Sequence, residues 1–267
     1  MPRAVPSVAT GPTQSILRFG RPRKRAHLRS DAVGGCDVTS ADDVRDVILA
    51  AVSHDLRTPL ASIKAAATSL LADDVRWEPA TARRFATIID DQADCLTHML
   101  DGLCDLTRIQ AGVVRPATVA VGVADVISAA LATLGAAASR VSVHTGDVGP
   151  LVVADPGLLE RAMANVITNA VTWSPAGVPV DIEASTRDDR VHVSVIDRGP
   201  GIPRHQRELV FEPFQRLGDG AARAASSVGL GLAVARGFSR AFGGDLTIEE
   251  TEGGGATFVF NLRRARR

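Results

Sequence analysis

The chain has 267 residues, 45% of them hydrophobic, with 30 basic and 30 acidic side chains and a formal net charge of zero. That length and apolar content support two small domains and a tail, and the even balance implies no nucleic-acid partner. No run of 18 apolar residues and no signal-peptide core occurs, so neither a transmembrane helix nor a cleaved leader is expected.

Residues 1–40 read as a disordered basic segment. Arg3, Arg18, Arg21, Arg23, Lys24, Arg25 and Arg29 fall within the first thirty residues with no acid among them, in a Pro-, Ser- and Gly-rich context. Such a stretch is a solvated leader or the remnant of a longer sensor. A helix follows. Leu49, Val52, Leu56, Leu60, Ile63, Ala67 and Leu70 recur at steps of three and four, the pattern of one apolar stripe. His54 lies two positions from both Val52 and Leu56, about 200° around the helix from each, so it points away from the stripe. Asp55 is its neighbour and Thr58 is four residues on. Pro59 removes a backbone donor and is expected to bend the helix just past the histidine. An exposed, neutral imidazole beside a carboxylate able to take its second ring proton is a candidate phosphoryl acceptor.

A polar break at residues 72–79 precedes a second helix. Phe85, Ile89, Gln92, Leu96, Met99, Leu103 and Leu106 alternate steps of four and three, a heptad pattern. One hairpin buries both stripes poorly, so two copies pairing into a four-helix bundle, a homodimer, is the expected solution. Cys36, Cys95 and Cys104 lack metal-ligand spacing. Cys95 and Cys104 are nine apart, about half a turn out of phase. All three read as reduced thiols of a cytoplasmic protein.

Residues 119–134 read as strand then helix. Leu151–Ala154 is a short apolar strand, Asp155 an N-cap and Pro156 the first residue of a helix. Asn165 and Asn169 share one face of that helix. Asparagine is a mediocre helix former, and an amide oxygen is a hard ligand suited to Mg2+ bridging phosphates. A hairpin over Val180–Ala184 and Val191–Ile196 runs into Asp197-Arg198-Gly199-Pro200-Gly201. There an aspartate at a strand end can accept from an exocyclic amine while glycine backbone passes close to a ring. Gly229-Leu230-Gly231-Leu232 opens a helix whose N-terminus favours phosphate. Between the two clusters lie Phe211-Glu212-Pro213-Phe214-Gln215-Arg216 and a small polar run, 218–228, that reads as a mobile lid. A last hairpin, with strands at 246–249 and 257–262 around a glycine turn, ends the pattern.

These segments, in this order, resemble a sensor histidine kinase. SHDLRTPL is similar to the phosphoacceptor box, NVITNA to the asparagine box, DRGPGIP and GLGLAVA to the two glycine boxes, and FEPFQR to the phenylalanine box. The wording of SHDLRTPLASIKAA, VVADPGLLERAMANV and FEPFQRLGDG resembles the kinase half of actinobacterial Kdp-type potassium-responsive sensors. The resemblance covers residues 44–263. It implies an α+β chain: a dimeric helical-hairpin phosphoacceptor domain over 41–113, then an α/β-sandwich ATP-binding domain of the GHKL (Bergerat) type over 117–264.

It further implies that His54 accepts the γ-phosphoryl group of ATP, Asp55 is the general base and Thr58 positions water for dephosphorylating a regulator. Asn169 would ligate Mg2+ with Asn165 beside it. Asp197 would bind the adenine amine. Gly199, Gly201, Gly229 and Gly231 would shape the base pocket and hinges, and Arg216 would reach the phosphates. The implied partner is a response regulator with a receiver aspartate. Kinases of the Kdp type carry sensory and membrane regions for which this length has no room, so any membrane association would come through a separate sensor.

Two positions depart from the family pattern. Where a basic residue and a tyrosine are usual, Thr172 and Trp173 stand. Trp173 can still cover the adenine. Thr172 removes a cation near the phosphates, for which Arg161 or Arg216 is the expected substitute. The chain has no tyrosine and only the lysines Lys24 and Lys64. Competing expectations are an ATPase or serine kinase on the same nucleotide fold, and a catalytically dead adaptor.

Overall fold

The computed structural model describes residues 41–72, 74–145, 149–215 and 229–266, and of residues 41–54 the backbone only. The expected basic tail, Cys36, Arg216, the run 218–228 and the side chain of His54 lie outside that description.

Two long helices come first, α1 (Ala41–Leu70) and α2 (Pro79–Gln110). Pro59 sits inside α1 with its ring buried, and the helix continues for eleven residues beyond it. The connecting turn is pinned by Trp77, whose Nε1 donates to the Ser69 carbonyl at 2.8 Å. Its ring also meets Phe85 edge-on at 5.1 Å. Within the hairpin Met99 and Leu106 are buried, yet Leu60 of the α1 stripe remains 58% exposed and Leu56, Phe85, Ile89 and Leu96 are only half-buried; Ile88 and Leu100, outside the stripes, are exposed. The two stripes cover one another incompletely.

The remainder is a two-layer sandwich. Its elements are β1 (Val119–Gly122), α3 (Val123–Thr133), β2 (Val141–His144), β3 (Leu151–Ala154) and α4 (Pro156–Trp173), then β4 (Val180–Arg187), β5 (Arg190–Ile196), α5 (Gly231–Ala241), β6 (Asp245–Glu250) and β7 (Ala256–Arg263). Five strands form one sheet in the order β2-β4-β5-β7-β6, with β2 parallel to β4 and the other pairs antiparallel. β1 and β3 make a separate antiparallel pair.

Alternation divides the main sheet into two faces. Val191, Val193 and Val195 of β5 and Phe258, Phe260 and Leu262 of β7 are buried with the apolar faces of α3, α4 and α5, and form one core. His192, Ser194 and Asn261 point to the other side. α4 contributes Leu159, Ala162, Met163, Val166, Ile167 and Ala170 to that core at helical spacing. Its start matches the sequence expectation: Pro156 is its first residue, and Asp155 Oδ1 accepts from the Leu158 amide at 3.1 Å. The other oxygen, Oδ2, accepts from the Ala117 amide at 2.8 Å, so one carboxylate ties the interdomain connection to the helix that carries the asparagines.

The C-terminal part of α2 packs against α5. A Cβ added at Gly237 would lie 2.8 Å from Ile109 Cδ1, so the glycine leaves a notch for that side chain. Beside it Arg161 of α4 pairs with Asp105 of α2, and its guanidinium carbon lies 5.5 Å from the centroid of the Phe238 ring. Asp105 is 5% exposed, and burial raises its pKa although Arg161 partly offsets that.

Candidate functional site

The candidate site forms where the end of β5, the polar stripe of α4 and the start of α5 meet. Asn165 and Asn169 are half-buried and lie one turn apart on α4, along the flank of its core face. Gly231 opens α5 next to them: a Cβ there would be 3.6 Å from the Asn165 Cβ. The start of α5 therefore lies beside Asn165, and a helix N-terminus, whose first amides lack intrahelical partners, attracts negative charge.

Asp197 follows β5 and is 3% exposed. Its Oδ1 accepts from the Gly199 amide at 2.8 Å and from the Ala256 amide at 3.0 Å, while its own amide donates to the Ala256 carbonyl at 2.9 Å. Among the described residues both carboxylate bonds land on Oδ1. Burial raises its pKa; the two backbone donors and Arg198 hold it down in part. A buried carboxylate fixed by backbone on one oxygen presents the other to a ligand as an acceptor.

Glycine is required at two nearby points. Gly201 has φ +76°, and a Cβ there would stand 3.0 Å from the Gly255 carbonyl oxygen. Gly229 has φ +72°, and a Cβ would come within 2.7 Å of the Gln215 carbonyl oxygen. Gly199 lies beside the backbone carbonyl of Trp173, the last residue of α4, which is itself half-buried. Phe214 has φ +66°, a left-handed conformation unusual for a side chain of that size, and its amide donates to the Gly229 carbonyl at 3.0 Å. That bond joins the two described flanks on either side of residues 216–228.

His54 and Thr58 lie one turn apart in α1, with Thr58 exposed and Asp55 half-buried. The structure thus brings Asn165, Asn169, Trp173, Asp197, Gly199, Gly201, Gly229 and Gly231 together in the sandwich, and leaves His54, Asp55 and Thr58 on the hairpin. One expectation is corrected. Arg161 does not substitute for a cation at position 172: it is engaged by Asp105 and Phe238, and eleven residues of helix, roughly 16 Å, separate it from Thr172. Thr172 spends its hydroxyl on the Thr168 carbonyl at 2.7 Å. Arg236, the residue after the GLGLAVA stretch, carries no role in the sequence reading; its partners Glu208 and Phe211 lie in one segment and Asp245 in another, and they carry no local signal.

Comparison with known proteins adds an independent line. Residues 44–112 match the family described as His Kinase A (phospho-acceptor) domain, and residues 154–266 match the family described as histidine kinase-, DNA gyrase B-, and HSP90-like ATPase. The chain is 40% identical over 247 residues to the sensor protein KdpD of Mycobacterium tuberculosis H37Rv, covering 90% of this chain and 28% of that protein. It is 35% identical over 221 residues to the sensor-like histidine kinase SenX3 of Mycolicibacterium smegmatis, covering 82% of this chain and 57% of that one. The Acinetobacter baumannii histidine kinase AdeS superposes with a TM-score of 0.61 at 19% identity, over 80% of this chain and 98% of the other, a likeness of fold. A phosphoacceptor hairpin and, behind it, a gyrase-like nucleotide sandwich occur here in one chain and in that order, and the chain belongs to the sensor histidine kinase family.

Proposed function

We propose that this chain is the ATP-dependent catalytic core of a protein-histidine kinase, in which His54 accepts the γ-phosphoryl group and passes it to an aspartate of a response regulator. The observation that carries this reading is the juxtaposition of buried Asp197 with the asparagine stripe of α4 and the opening of α5, in a sandwich that follows a helix bearing His54 next to Asp55.

The described residues have roles that their surroundings suit, and His54 and Arg216 take theirs from the family resemblance. Asp197, locked on Oδ1, accepts from the exocyclic amine of adenine through Oδ2. Trp173 covers the base at the end of α4. The amides opening α5 receive phosphate oxygens, and Arg216 adds a cation. Asn165 and Asn169 suit Mg2+ because amide oxygens supply hard donors without excess charge and leave positions for phosphate and water. When bound, Mg2+ neutralises charge on the transferring phosphate. Asp55 takes the proton that the imidazole loses as it attacks, and Thr58, one turn along α1, orients the water that dephosphorylates the regulator. Residues 41–113 act as the dimerisation and phosphotransfer domain and 117–264 as the ATP-binding domain. Exposed Leu60, Ile88 and Leu100 on the hairpin are the side chains that a second copy would cover.

The test is the chemistry of the label. Protein incubated with Mg2+ and γ-labelled ATP should carry a phosphate that is lost in acid, survives base, and moves to a receiver domain when one is added. Acid-stable label would establish a serine kinase. Nucleotide binding without label would establish an adaptor.

A further inference from the structure

Arg236 has more partners than a surface cation needs. It lies in α5, five residues past Gly231, and its side chain is only 12% exposed. Nη1 donates to Glu208 Oε2 at 2.6 Å, and Nε donates to Asp245 Oδ1 at 3.1 Å. The guanidinium carbon lies 4.4 Å from the centroid of the Phe211 ring, and that ring is 7% exposed. A guanidinium held this way uses the three capacities that distinguish arginine from lysine: a flat face for stacking, a fork of donors, and a permanent charge. Arg236 thus gathers the Glu208–Phe211 segment, α5 and the start of β6.

The location gives the contact its meaning. Three residues beyond Phe211, Phe214 turns in its left-handed conformation and donates to Gly229, and two residues beyond Gly229 is Gly231, which faces Asn165. The Phe211 turn, the 214–229 bond and the opening of α5 form a short chain of contacts ending at the asparagine stripe. Anything that lets the turn drift from α5 moves the amides meant for phosphate.

We propose that Arg236 is a positioning residue of the nucleotide site: by stacking on Phe211 and bridging Glu208 and Asp245 it fixes the strained Phe214 turn and the start of α5 against Asn165. This deepens the ATP-binding reading and rests on it. Arg236→Met keeps the aliphatic stem but removes stack and fork. Arg236→Lys keeps stem and charge but loses the planar face and the fork. Glu208→Gln is the mild control, since that carboxylate is largely exposed.

Two readouts decide the proposal. In hydrogen exchange, the Phe214 amide should exchange about tenfold faster in Arg236→Met, the loss of one charged contact, while β4 and β5 keep wild-type protection. In autophosphorylation, KM for Mg·ATP should rise about tenfold with kcat within about twofold, and Arg236→Lys should fall between. Unchanged exchange at Phe214 would overturn the proposal whatever the kinetics. So would a KM that stays at the wild-type value, or exchange that quickens equally across the whole sheet. Wild-type protein that binds no Mg·ATP would instead overturn the nucleotide reading, and the exchange readout would still judge the staple.

Discussion

Asp197 illustrates how one side chain can be fixed for a ligand by its backbone. Two amides, from Gly199 and Ala256, converge on Oδ1. Asparagine is nearly the same shape, but its single acceptor oxygen would be claimed by those two donors. Its NH2 would then face outward, where a carboxylate oxygen had been. An adenine amine would meet a donor instead of an acceptor. Asp197→Asn should therefore fold normally and lose ATP affinity by about tenfold or more, the cost of a hydrogen bond to a charged group. Binding of a 6-oxo purine nucleotide should be reduced less, since its O6 can accept from the amide. Equilibrium titration with ATP and GTP checks both. Equal losses for the two nucleotides would contradict the assigned orientation. Cys95 is inert by comparison, because burial raises its thiol pKa and leaves it protonated at neutral pH.

Among elements, the junction of α5 and β6 is held by charge. Burial pushes the Asp245 carboxyl up, but hydrogen bonds from Arg240 at 2.9 Å and Arg236 at 3.1 Å outweigh it, and the pKa ends below the usual carboxylate value. A lowered folded-state pKa means that the contribution is present above the unfolded pKa and disappears as pH falls through the folded one. Asp245→Asn should thus lower the melting temperature at pH 7, and the gap to wild type should close as pH falls below the ordinary carboxylate range and the Asp245 carboxyl protonates. A gap that persists in acid would assign the effect to packing.

The legibility of these elements from sequence varied with how local their causes are. The α4 cap, the heptad of α2 and the alternation of β5 are set by neighbours a few residues apart, and each was readable. β2 was not: Val141–His144 is four residues long, and its parallel pairing with β4 depends on a partner about forty residues away. Arg161 with Asp105, 56 residues apart, and Arg236 with Glu208, 28 apart, are tertiary contacts of the same kind. Asp197 was readable because glycines on a strand end mark a close approach; the second amide on its carboxylate, from Ala256, was not.

For the whole molecule, the division of labour between hairpin and sandwich is the central claim. The chain spans 28% of the KdpD relative it matches. Among the described residues no helix is long and apolar enough to cross a membrane. On the proposed reading, the chain itself carries a transfer from a nucleotide held in the sandwich to an imidazole on α1. The most direct measurement is phosphopeptide mapping of wild-type protein and His54→Gln after incubation with Mg2+ and γ-labelled ATP, at matched nucleotide occupancy. The account predicts label on the peptide containing His54 in wild type and none in the variant, with ATP binding unchanged. Label retained after that substitution, or found on another residue of the wild type, would contradict it.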